Sequence, residues 1–129
     1  MIDRAHRFHR LGSLRPAYKY GQTLRGPFNA LKYMRNTHRK DWRAAVVVSR
    51  KVHKSAVVRN RIRRRIFEIL RSQGPAINGP YDLIFIAYSD QLATLSTAEL
   101  QDCIISQLRE ANVLADEGQS DHAIVRAKE

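Results

Sequence analysis

Residues 55–71, SAVVRNRIRRRIFEILR, constrain the fold more than any other stretch of the chain. Val58, Ile62, Ile66 and Ile69 recur at spacings of four, four and three, which draws a single apolar stripe along an α-helix. Five arginines (59, 61, 63, 64 and 65) occupy seven consecutive positions of the same helix. At about 100° per residue, Arg59 and Arg63 flank the stripe on one edge and Arg61 and Arg65 on the other, while Asn60, Arg64 and Arg71 point away from it. One side of this helix must be covered and the other must stay open. Ser55 is placed to cap it, and Gly74-Pro75 ends it.

The covering layer is legible on either side. Ala44-Ala45-Val46-Val47-Val48-Ser49 is β-branched and shows no alternation, so it reads as a strand covered on both faces. Residues 81–88, YDLIFIAY, form a second apolar strand, and 28–34, FNALKYM, a more mixed one; a further short strand fits within 22–27. A short helix is expected from Ser13 as N-cap, with Pro16 in its first turn and Gly21 as a left-handed C-terminal residue. A last helix begins at Ser96, whose spacing to Glu99 is that of a capping box. Leu95 and Leu100 are set to staple that box, and Leu100, Ile104 and Leu108 form its buried face with Cys103 alongside. The expected fold is an α/β (α+β) two-layer sandwich, a small mixed sheet with helices packed on it, in the order α-β-β-(β)-α-β-α. Residues 1–112 read as one domain and 113–129 as a C-terminal tail, polar and charged from 115 onward.

Charge then narrows the partner. The 129-residue chain carries a net charge of +11. Residues 1–71 hold 20 basic and 3 acidic side chains, whereas 72–129 hold 3 and 9. An ordinary solvated surface mixes both signs, so this segregation predicts one basic face and a polyanionic partner. Like charges three or four residues apart destabilise a helix, and Glu68 can neutralise Arg64 or Arg65 but not all five arginines. Guanidinium forks match phosphate oxygens and stack on bases. Ser55 and the open N–H groups of the first turn, with Lys51 and Lys54 beside them, add a place for phosphate at the positive end of the helix dipole. Membrane binding would require the apolar stripe that the strands already claim.

Other chemistries find little support. One cysteine, Cys103, gives no disulfide framework, and no apolar run is long enough for a signal peptide or a membrane span, so a reducing cytoplasm is expected. The histidines at 6, 9, 38, 53 and 122 gather no carboxylate or cysteine into a zinc set; His53 is set either to touch RNA or to lie exposed. Trp42 is read as a core edge. No nucleophile–base set or phosphate-binding glycine loop is present. Asp3 and Asp41 are isolated, Asp82 and Asp90 stand at strand ends, and Asp116, Glu117 and Asp121 lie in the tail, so no carboxylate pair offers a metal-dependent nuclease site. Three readings remain: a subunit of a ribonucleoprotein endonuclease, a stand-alone basic binding module such as a ribosomal or DNA-binding protein, and a protein-only nuclease.

Val46-Val47-Val48-Ser49-Arg50-Lys51-Val52, Ala56-Val57-Val58 and Arg59-Asn60-Arg61-Ile62-Arg63-Arg64-Arg65 together resemble the protein component of bacterial ribonuclease P, over about residues 4–112. The resemblance implies a left-handed βαβ crossover through the basic helix, against the usual right-handed preference. It implies a large catalytic RNA and precursor tRNA as partners, and an endonuclease that removes the tRNA 5′ leader. In that scheme the RNA and its magnesium ions do the hydrolysis, so no catalytic side chain, protein metal site or small-molecule cofactor is expected in the chain. Arg59, Asn60, Arg61, Arg63, Arg64 and Arg65, with Lys51 and Lys54, would face the catalytic RNA. A leader-binding cleft between the first helix and the sheet would use Tyr18, with Phe28 and Tyr33 as neighbours and Leu14 where many members carry Phe. The His53-Lys54-Ser55 loop is one residue longer than the common form.

Overall fold

The computed structural model describes residues 15–114, apart from 38 and 78. Helix α1 (Arg15–Tyr20) is followed by β1 (Gln22–Arg25), β2 (Asn29–Arg35), β3 (Arg43–Val48), α2 (Ala56–Gln73), β4 (Tyr81–Ala87) and α3 (Thr97–Glu110). Short 3-10 turns occupy Gly74–Ala76 and Asp90–Ala93. The expected extra strand is β1. The sheet runs β1-β2-β4-β3, with β2 antiparallel to β1 and β4, and β3 parallel to β4. Helix α2 is the crossover between the two parallel strands.

Alternation divides the sheet. On one face Leu31, Ala44, Val46, Val48, Leu83 and Phe85 join Ile62, Ile66, Phe67, Ile69 and Leu70 of α2 and Leu100, Ile104 and Leu108 of α3 in one buried cluster. Burying these side chains supplies the main driving force, at about 25 cal/mol per Å² of apolar surface. The other face presents Ala30, Lys32, Met34, Ile84 and Ile86, and α1 lies against β2 and β4.

Strand β3 departs from expectation. It is an edge strand, and its residues alternate between buried and half-buried. The helices cover Ala44, Val46 and Val48, while Ala45 and Val47 sit on the more open face. An all-apolar run therefore did not mean cover on both sides. Gly21 also differs: Gly79, with φ +118°, is the glycine with a positive φ among the described residues, and Gly21 is not.

The helix signals fare better. Ser55 Oγ accepts from the Val58 N–H, and at α3 both halves of the Ser96–Glu99 capping box form. Leu95 packs against the cluster and Leu100 is buried. Trp42 is buried beneath Gly74. The core continues past α3: Val113 and Leu114 are buried, and Leu114 bridges to Ile77, so the domain runs two residues beyond the boundary expected at 112. The Ser13 cap and residues 115–129 lie outside the described residues.

Two polar clusters fix the sheet ends. Asp82, buried on β4, accepts from Arg43 Nε at 2.8 Å, from Arg43 Nη2 at 3.3 Å and from Asn36 Nδ2 at 3.1 Å. At the other end Asn29 Nδ2 donates to Gln107 Oε1 at 2.9 Å, and Gln107 Nε2 returns a bond to the Asn29 carbonyl at 3.2 Å. This amide pair pins the β1–β2 turn to α3. Neither cluster has a sequence pattern that announces it.

Candidate nucleic-acid interface

The arginines of α2 sort onto two edges as the helical spacing predicts, and each edge is held by backbone oxygen. On one side Arg59 Nη1 donates to the carbonyls of His53 (3.0 Å) and Lys54 (2.8 Å). Arg63 Nη2 reaches the Val48 carbonyl at 3.3 Å, and its Nη1 the Asn60 Oδ1 at 2.6 Å. On the other side Arg61 Nε donates to the Ala93 carbonyl at 3.0 Å, and Arg65 to those of Leu92 (2.7 Å) and Leu95. The 3-10 turn at 90–93 leaves carbonyls without helical partners, and Arg61 and Arg65 satisfy them.

This arrangement has an electrostatic consequence. A carbonyl fixes a guanidinium without cancelling its charge; a carboxylate would cancel it. Arg59, Arg61, Arg63 and Arg65 are thus held in place with their charge intact and N–H donors to spare. Burial, and then the neighbouring charge of Arg61, hold the Arg65 pKa below the ordinary arginine value. Arg64 is exposed and makes no hydrogen bond or ion pair with any described residue. Glu68 does not neutralise Arg64 or Arg65: its Oε1 accepts from Arg71 Nη2 at 2.6 Å. That bond draws the Glu68 carboxyl below its usual range and raises the Arg71 pKa.

The loop before α2 extends the basic surface. Lys51 and Lys54 are exposed on either side of His53. The His53 Nδ1 accepts from the Ser55 N–H at 3.0 Å, so the ring shapes the helix start. Val57 stands 74% exposed in the first turn, an apolar patch amid cations.

The Ribonuclease P family profile matches residues 2–112. The chain belongs to the ribonuclease P protein family. A ribonuclease P protein component from Chloroflexus aurantiacus is 34% identical over 113 residues, spanning 88% of this chain and 82% of the relative. The solved ribonuclease P protein of Staphylococcus aureus superposes with a TM-score of 0.75 at 25% identity, over 84% of this chain and 97% of that one. The Thermotoga maritima protein shares the fold, with a TM-score of 0.70 at 21% identity over 79% and 94% of the two chains.

Of the four residues expected in a leader cleft, two can be placed in this ribonuclease P protein fold. Leu14 and the Tyr18 side chain lie outside the described residues. Phe28 and Tyr33 both pack partly against the core. They lie five residues apart, about 16 Å along an extended strand. Tyr33 is paired with Leu83 and shares its helix-covered face, with its hydroxyl donating to Gln22 Oε1 at 2.8 Å. It therefore points away from the face that carries Ala30, Ile84 and Ile86. Lys32, one residue earlier, lies on that face, and its Nζ donates to Thr23 Oγ1 at 3.2 Å. Strand parity carries that signal, but only once the register is known. Tyr20 and Tyr88, 71% and 42% exposed, were also missed. Among the described residues no three His, Cys, Asp or Glu side chains gather to hold a metal ion, and no helix is long and apolar enough to cross a membrane.

Proposed function

We propose that this chain is the RNA-binding subunit of a ribonuclease P holoenzyme, whose catalytic RNA removes the 5′ leader of precursor tRNA. The observation that carries this reading is the uncancelled charge of Arg59, Arg61, Arg63, Arg64 and Arg65, four of them held on neutral acceptors. Such a surface has its largest favourable energy against phosphate, where releasing condensed counterions adds to the Coulombic attraction. Asn60, Lys51 and Lys54 complete the contact with the catalytic RNA. The single-stranded leader lies over the sheet face opposite α2 and α3, where Lys32 offers a cation. In this scheme magnesium would be held by the RNA and would supply the hydrolytic chemistry there; the protein's own residues bind, orient and neutralise phosphate. The holoenzyme acts in the cytoplasm and needs no small-molecule cofactor.

The test combines the full chain, a bacterial ribonuclease P RNA and a precursor tRNA at low magnesium. The expected result is accurate 5′ cleavage that requires the RNA and is stimulated by the protein. Cleavage by the protein alone would replace this reading with a protein nuclease. Tight RNA binding with no effect on processing would make the chain a stand-alone binding module.

A further inference from the structure

Ribbon ends opposite the arginine helix carry a second group of aromatic and polar side chains. Tyr20, Gln22, Tyr33, Arg35, Tyr81 and Asn112 surround one open pocket. Its floor is the paired ends of β2 and β4, where Arg35 faces Tyr81. One wall is the junction of α1 and β1, and the other is the turn that ends α3.

The pocket is built rather than incidental. The Arg35 guanidinium lies 5.6 Å from the centre of the Tyr81 ring. Beneath them Gly79 adopts φ +118°, and a Cβ there would stand 3.2 Å from Tyr81 Cε2 and 3.3 Å from Arg35 Nη1. The backbone is thus bent, at a position only glycine adopts easily, so that the cation and the ring can meet. On the α1 side the Tyr20 ring is 71% exposed, with Lys19 Nζ 5.4 Å from its centre. Tyr33 is fixed by its bond to Gln22. Asn112, at φ 62°, holds the far rim.

One cation–aromatic pair and two further tyrosines around one polar pocket present flat surfaces, positive charge and amide groups together. A nucleobase with its phosphate has the matching chemistry: a planar face to stack on tyrosine or guanidinium, edges for Gln22 and Asn112, and an anion for Arg35. An apolar peptide would leave these polar groups desolvated without partners. We infer that this pocket binds an unpaired ribonucleotide, giving the protein a second RNA contact at the opposite pole of the sheet from α2's N-terminal half. β4 runs from Tyr81 at this pole to Ala87 beside the end of β3, which separates the two contacts by about 20 Å. The inference rests on the proposed function, and the nucleotide comes either from the precursor's leader or from the catalytic RNA.

The experiment uses the full chain with a bacterial ribonuclease P RNA and compares wild type, Tyr20→Ala, Arg35→Gln and Arg64→Ala. One arm measures affinity for the RNA without substrate. The other measures affinity of the assembled holoenzyme for precursor tRNA with a long leader and with a one-nucleotide leader. A stacked base predicts that Tyr20→Ala weakens binding about tenfold in one arm. A loss confined to the long leader identifies the leader as source; a loss already present without substrate identifies the catalytic RNA. Arg35→Gln should follow Tyr20→Ala in the same arm, and both sites are exposed enough to leave the melting temperature unchanged. Unchanged affinity of both variants in both arms, while Arg64→Ala still weakens RNA binding, overturns the pocket and leaves the function standing. Failure of the wild type to bind the RNA overturns both.

Discussion

Arg64 and Arg71 project from the exposed side of α2 two turns apart, yet they should contribute unequally to RNA binding. Arg64 has no partner among the described residues, whereas Arg71 donates to Glu68 through Nε at 3.0 Å and Nη2 at 2.6 Å. A free guanidinium that meets one phosphate releases close to one counterion, worth ~0.7–0.9 in the slope of log affinity against log salt. Arg64→Ala should therefore flatten the slope by about that amount. Between 50 and 200 mM salt, a fourfold rise, the salt-induced loss of affinity should then shrink by about threefold. Arg71→Ala removes a charge that Glu68 already balances, so its slope change should be well under half of this. Neither change touches the core, so unfolding free energies should stay within about 0.5 kcal/mol of wild type, the exposed Arg71–Glu68 pair contributing little. The assay is a binding titration of each variant against a bacterial ribonuclease P RNA at four or more salt concentrations. Equal slope changes for the two variants, or an unchanged slope for Arg64→Ala, would refute the argument that uncancelled charge on α2 meets phosphate.

Three structural predictions stand beside it. Asp82→Ala should destabilise the fold by about 3–5 kcal/mol, because it removes the buried carboxylate that accepts from Arg43 and Asn36; an unfolding free energy lowered by under 1 kcal/mol would show the pair to be dispensable. Gly26→Ala puts a Cβ 2.5 Å from Gln107 Nε2 and should cost about 1–3 kcal/mol by breaking the buried Asn29–Gln107 amide pair; a double-mutant cycle with Gln107→Ala should show strong coupling, and additive losses would contradict it. Burial raises the Cys103 pKa, so the folded state favours the thiol. That contribution is full below the unfolded thiol's value of about 8.5 and is lost as pH rises through the folded-state value. Alkylation at neutral pH should accordingly be slower than for a free cysteine, and equal rates would show the thiol to be unshielded.

Much of this chain is written in local pattern. Val58, Ile62, Ile66 and Ile69 fixed α2 and its orientation, and with it the two rows of arginine, because helical periodicity needs only neighbours along the chain. The Ser55 cap and the Ser96–Glu99 box set the starts of two helices for the same reason. Tertiary structure decided what periodicity could not. It made β3 an edge strand, since strand order depends on pairing across the sheet rather than on the composition of one strand. It put Tyr33 on the face that α2 and α3 cover and Lys32 on the other, because a one-residue difference in register reverses every side chain. It also assigned Glu68 to Arg71 and gave the arginines of α2 backbone carbonyls from residues up to 32 positions away. The kind of surface was therefore legible from the order of residues; which charges remain uncancelled, and where they are held, depended on groups that meet only when the chain has folded.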